Sequence, residues 1–366
     1  MITLVGTIIG AGFLGIPYVV SKSGFLIGLG WMILICGVMM LVNLILGEII
    51  LSSKTVHQLP GYASKYLGKG TKIYVLAAMM IGIYSALIAY LLGVGESLSF
   101  IFTGSSGYTL LAGIIFWALM VLITYRGLDG VEKVEPLGVG SIFLVVLIFG
   151  MVSYSKMDFS SLLNYNLSYL FLPFGVILFA FMGMFSIPEM RRVLEEEKEK
   201  MNKAIMVGCL VPLIVYVVFV VIVLGLYSDV PQIATLSFGK IVASLGILTM
   251  LTSYLALSLA IQDTYQMDFN LDFIKSWSLT ALIPLALFLV VSYFGITGFV
   301  GVLSLGGSIA GGLLAIAMLL IHEKIVENKV NREREPEYKV RVHLLIKTIL
   351  ITLFVVGIIY QLFTFF

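Results

Sequence analysis

Charge is what this sequence has least of. Asp, Glu, Lys and Arg make up 11% of its 366 residues, against about 25% in soluble domains, so the chain lacks the polar coat that a water-exposed fold of this size needs. Its two cysteines, Cys36 and Cys209, lie inside apolar runs, where a cysteine acts as a small hydrophobe rather than half a disulfide or a metal ligand. The three histidines, His57, His322 and His343, fall at or near expected loops with no second ligand at metal-site spacing, which excludes an ordinary zinc site. No G-x-x-x-x-G-K-[ST] loop occurs, so the chain does not itself hydrolyse ATP. The N-terminus has no basic residue before its first apolar run, so no cleavable signal peptide is expected and the first span stays. A net charge of +2 identifies no partner by itself, and no nucleic acid is expected as one.

What the chain has is apolar length: 60% hydrophobic residues and a mean hydropathy of +1.10. Runs of about 20 apolar residues predict an all-α integral membrane protein with eleven spans at 2–20, 24–52, 72–100, 108–126, 134–153, 168–190, 204–227, 240–266, 276–296, 297–322 and 342–366. The ninth and tenth nearly fuse at Gly295-Ile296-Thr297-Gly298, so ten spans is the competing count. With the N-terminus cytoplasmic, all of the 22 basic residues except Lys22, Lys156 and Lys240 fall on the cytoplasmic side. That bias predicts N-in, C-out in a cell membrane. The loop "RRVLEEEKEKMNK" reads as a solvated amphipathic helix, and "EKIVENKVNREREPEYKVR" as a charged connector.

The first span contains "GTIIGAGFLGIP", where four of twelve residues are glycine and the last is proline, the residues least suited to a continuous helix. The sixth span answers it. Gly183 to Pro188 (G-M-F-S-I-P) repeats the spacing of Gly12 to Pro17 (G-F-L-G-I-P) at an offset of 171 residues. The same offset moves spans three to five close to spans eight to ten. We therefore expect a single transporter domain over 1–366, built as a 5+5 inverted repeat of 1–155 and 168–322, with an extra helix at 342–366 and discontinuous helices 1 and 6.

Breaking a helix in a bilayer strands backbone N–H and C=O groups at a cost of several kcal/mol each if they face lipid. A bound zwitterion can satisfy them: amides at a half-helix N-terminus suit a carboxylate, and carbonyls at a half-helix C-terminus suit an ammonium group or a cation. The alternative is that the glycines only permit close helix packing, which does not by itself call for proline at both matched positions.

"GTIIGAGFLGIP", "FAFMGMFSIPEM" and the loop "LPGYASKYLGKG" resemble the amino acid/auxin permease family, which includes sodium-coupled neutral amino acid transporters, within the amino acid–polyamine–organocation superfamily. The resemblance implies a leucine-transporter-like fold. It also implies that the backbone of Gly10, Ala11 and Gly12 receives the substrate carboxylate and that Phe179, Ala180, Phe181 and Met182 line the opposite wall. Tyr90 would reach the substrate carboxylate, with Tyr84 as its rival. A sodium site would take Thr252 and Ser253, with Thr249 one turn earlier and carbonyls from Gly6 and Ile9; all are hard oxygen ligands. Against that stands the habit of helical Ser and Thr of bonding the carbonyl three or four residues back. Glu48 matches a carboxylate that bonds the unwound sixth span in some relatives, in a structural and coupling role, and otherwise reads as interfacial. Glu96 is expected near the outer surface and Asp263 near the inner end of span eight.

The function expected is a secondary active symporter that takes up a neutral amino acid with Na+ or H+ by alternating access, with no cofactor beyond the coupling ion. An amino-acid-binding sensor shares every motif, although no large soluble signalling extension is visible. An enzyme would need a nucleophile and base, or metal ligands, clustered at membrane depth, and none is visible.

Overall fold

The computed structural model describes residues 2–365 apart from 56, 127–139, 141–143, 145–146 and 328–332. It is helical throughout, with no strand among the described residues beyond one isolated bridge between Gly24 and Tyr165. Among the described residues, eight helices are long and apolar enough to cross a membrane, and Thr109–Tyr125 is a shorter apolar helix.

The first expected span is α1 (Ile2–Ile8), a 3-10 turn (Ala11–Gly15) and α2 (Ile16–Ser23). Then come α3 (Phe25–Leu51), the short α4 (Leu59–Leu67), α5 (Lys69–Thr103) and α6 (Thr109–Arg126). The expected span 134–153 lies mostly outside the described residues. The sixth expected span is α7 (Leu172–Ala180), a 3-10 turn (Met184–Ser186) and α8 (Ile187–Val193). The chain continues as α9 (Met201–Leu226), α10 (Lys240–Phe269) and α11 (Phe273–Phe294). Next are α12 (Phe299–Gly306), a π-helical turn (Gly307–Gly311), α13 (Gly312–Glu327) and α14 (Leu344–Phe365).

The ninth and tenth expected spans are separate helices, parted by Gly295 at φ 59°, a left-handed conformation that stops α11. One local expectation fails: 194–200 is not an amphipathic helix. Glu195, Glu196 and Glu197 lie between the end of α8 and a single 3-10 turn, Lys198–Lys200, which holds Glu199; like charges so closely spaced do not support a helix of their own.

Helix α5 is the centre of the bundle. Its most apolar window is 83% buried, against 22% for α11, whose outward leucines and aromatics present an apolar face. It packs against α4, α6, α10 and α12. Small residues bring α7 and the π turn close: a Cβ on Gly307 would lie 2.0 Å from the Gly175 carbonyl oxygen, a backbone atom with no freedom to move aside. Close approach through glycine is a common way for membrane helices to gain packing.

One end of the bundle gathers the basic residues and is closed by the segment before α14. Ser52 O accepts the backbone N–H groups of Glu333 (3.2 Å) and Arg334 (3.3 Å). The Glu333 carboxylate takes the Lys65 ammonium at 2.9 Å and the Lys54 backbone N–H at 2.8 Å, and the Tyr338 hydroxyl donates to Leu44 O at 2.8 Å. Lys65, then the Lys54 amide, hold the Glu333 carboxyl down at about 2. Because that value is depressed, the tie is complete above the ordinary carboxylate range and is lost only as pH falls toward about 2.

Two outcomes follow. Gly307→Ala forces α7 and the π turn apart and lowers stability by ~1–3 kcal/mol, read as an earlier thermal unfolding midpoint in detergent. Glu333→Gln loosens the segment before α14, and limited trypsin digestion at neutral pH then cuts after Arg334 a few-fold faster than in wild type.

Candidate functional site

Both breaks are built in the same way. A helix stops, a 3-10 turn follows, and the next helix starts with proline in its first turn, Pro17 in α2 and Pro188 in α8. Proline is suited to that place because the N–H it lacks would have no helical acceptor there. In the second break the Gly183 N–H turns back to Phe181 O at 2.9 Å, and Ser186 Oγ donates to Gly183 O at 2.9 Å. Gly12 lies where the breaks meet: a Cβ there would be 3.0 Å from Phe179 Cδ1 and 3.1 Å from Ala180 Cα.

A cavity of about 540 Å³ opens against this junction, bounded by α1, α5, both halves of the sixth span and α10. Gly6, Gly10, Gly12, Tyr90, Phe179, Ala180, Met182 and Ser253 all line it, which brings together eight of the residues singled out from sequence. Gly10 faces hydroxyls on both sides, with Ser253 Oγ and Tyr90 Oη each 3.9 Å from where a Cβ would stand. Glu189 is the only charged side chain among the described lining residues, and it is exposed, so it marks where the cavity reaches the surface near the basic end. Toward the other end the bundle is filled. Phe13 packs between Tyr216 and Phe219 at ring distances of 6.1 and 5.2 Å, and Phe219 stacks on Phe238 at 6.5 Å.

Other expected residues lie elsewhere. Phe181 does not line the cavity; it is fully buried with its ring edge on Tyr216 at 5.2 Å, because the turn after α7 carries it to the opposite side from Phe179. Ile9 is not a lining residue either; it is buried and its N–H bonds Val5 O at 2.8 Å, while the expectation for Ala11 lies outside the described side chains. Thr249 and Thr252 are buried off the cavity. Thr249 Oγ1 donates to Gly246 O at 2.9 Å and Thr252 Oγ1 to Thr249 O at 3.0 Å, the within-helix bonding that buried hydroxyls adopt. Of the expected cation ligands, therefore, Gly6 and Ser253 face the cavity and the rest do not. Tyr84 lies off the cavity as well, its hydroxyl 2.6 Å from that of Tyr265 on α10.

Glu48 is corrected in its partner. It does not bond the sixth span: Oε2 accepts the Val340 N–H at 2.7 Å and lies 3.2 Å from His322 Nε2, with both side chains 2% exposed. His322 is thus on α13 and buried, not at a loop. Spacing along the chain could not show this, since the partners lie 274 and 292 positions away. Glu96 is half-buried and Asp263 exposed. No group of three or more His, Cys, Asp or Glu among the described residues could hold a metal ion.

Residues 1–237, which include both breaks, match the tryptophan/tyrosine permease family. The chain belongs to this family. It is a multi-pass membrane transport protein and not an enzyme. The assignment corrects the resemblance to amino acid/auxin permeases. Glutamine transporter 2 of Aliivibrio fischeri is 24% identical over 322 residues, covering 82% of this chain and 83% of that protein. Tyrosine-specific transport system 2 of Haemophilus influenzae is 27% identical over 244 residues, covering 62% of this chain and 57% of that protein. The α10 wall of this permease, with Ser253, lies beyond the residues that match the family.

Sequence reasoning missed Tyr216 and the mouth residue Glu189. The phenol of Tyr216 on α9 is 2.7 Å from Ile8 O and 3.0 Å from Ala180 O, the last residues of α1 and α7. A signal was present, since Tyr216 is the only hydroxyl inside the expected span 204–227 before its last residue. Gly12→Leu wedges Phe179 and Ala180 away from the first break. It abolishes uptake by membrane vesicles while the protein still inserts and elutes as a single species in detergent; Gly12→Ala, which needs a shift of only tenths of an ångström, keeps part of the uptake.

Proposed function

We propose that this permease is a secondary active transporter that takes up a neutral amino acid, driven by a sodium or proton gradient. The observation that carries the reading is the meeting of two interrupted helices on one cavity, in a chain of the tryptophan/tyrosine permease family. Backbone groups at the breaks serve the zwitterionic end common to all amino acids, and Gly10, Gly12 and Ala180 line that part of the cavity. The side-chain end meets Phe179, Met182, Phe185, Ile83 and Leu257. Among the described lining residues Glu189 carries the one charge, at the mouth rather than at the breaks, which favours a neutral side chain. Relatives named for glutamine and for tyrosine agree with that class.

The arrangement we adopt is leucine-transporter-like: eleven spans, a 5+5 inverted repeat of 1–155 and 168–322, and an added helix at 342–366. The N-terminus is cytoplasmic and the C-terminus outside, in the cell membrane, as the basic residues favour. In that orientation the cavity mouth at Glu189 faces the cytoplasm and the aromatic packing of Phe13, Phe219 and Phe238 closes the outer side. The conformation is therefore inward-facing, and alternating access takes the cavity from one side to the other about the breaks. A sodium ion would draw on Gly6 and Ser253 at the cavity wall; a proton is the other coupling ion.

The test is uptake into proteoliposomes of labelled small aliphatic, glutamine-like and aromatic amino acids, with sodium and pH gradients imposed separately. Concentrative uptake of at least one neutral amino acid under one of the two gradients is expected. Equal uptake with and without both gradients, or none of any amino acid, overturns the reading.

A further inference from the structure

The two breaks share one hydrogen-bond donor. Ile8 and Ala180 end α1 and α7, so their carbonyls are orphaned acceptors at the negative ends of two half-helix dipoles. Brought together they repel, unless a donor stands between them. The Tyr216 hydroxyl is there, 2.7 Å from one oxygen and 3.0 Å from the other. The ring repeats the arrangement. It stacks on Phe13 in the turn after the first break at 6.1 Å and meets Phe181 in the second break edge-on at 5.2 Å. Tyr216 is fully buried, so no water competes for these contacts.

Ile8 and Ala180 line the cavity and Tyr216 does not. Its influence on a bound solute therefore passes through the backbone. We propose that Tyr216 is a positioning residue for solute binding, whose hydroxyl holds the Ile8 and Ala180 carbonyls, and with them the two breaks, at the separation that forms the site. This rests on the reading of the cavity as the amino acid site. A phenol has one hydrogen to donate, while each carbonyl keeps two lone pairs. The hydroxyl can accordingly pass its bond from one carbonyl to the other when α1 and α7 shift relative to each other.

Tyr216→Phe removes the oxygen and keeps the ring. Wild type and variant are reconstituted in equal folded amounts, and uptake of a neutral amino acid is measured over a range of concentrations. The expected result is a KM raised about tenfold, equivalent to about 1.4 kcal/mol, with the maximal rate changed by less than about twofold. A purely structural loss would lower the maximal rate and leave KM alone, so an unchanged KM overturns the proposal. Amide hydrogen exchange in the absence of any solute gives an independent reading. Exchange at 8–10 and at 180–183 should quicken in the variant, and wild-type rates at either break also overturn the proposal. If wild type carries no amino acid at all, the functional reading fails, whereas the exchange comparison still decides for or against Tyr216.

Discussion

A peptide group with no partner inside a bilayer costs several kcal/mol, and the centre of this protein is organised by that cost. Two helices are interrupted at glycine- and proline-bearing stretches, and each interruption releases donors and acceptors that must be answered locally. The second break answers with a tight turn at Gly183 and with the Ser186 hydroxyl. Both breaks send their last helical carbonyl to Tyr216. The backbone left on the other side faces the cavity between α1, α5, α7 and α10. The site is thus the remainder of a hydrogen-bonding problem that the protein alone solves only in part.

Local chemistry was legible in the sequence and long-range pairing was not. Gly12, Pro17, Gly183 and Pro188 marked the breaks because glycine and proline act on the backbone at their own position, and the helices begin and end close to where the apolar runs do. Phe179 and Phe181 could not be told apart, since which of two aromatics two residues apart faces a cavity depends on how the chain turns after Ala180. Tyr90 and Tyr84 share a helix and differ by less than two turns, so only the position of Tyr265 on α10 separates them. Thr252 and Ser253 look equivalent in sequence, yet one bonds its own helix and the other faces the cavity.

Glu48 and the family assignment failed for related reasons. A buried carboxylate announces that it needs donors without naming them, and here they come from α13 and from the segment before α14. The motifs around the breaks in turn report the shared chemistry of interrupted helices. They are less informative about which branch of amino acid carriers the chain belongs to, which the match over residues 1–237 decides.

The contact between Gly175 and Gly307 has a mechanical consequence. Where two main chains touch with no side chain between them, there is no compliant layer to absorb sliding, so α7 and the π turn behave as one slab. In the alternating-access cycle we propose, the rearrangement that re-aims the mouth at the other leaflet would shear along some softer seam. Among the walls of this chamber, the seam that qualifies is the one where the seven-residue α1 leans on the flexible side chains of Leu4 and Ile8 over Gly183 and Gly208.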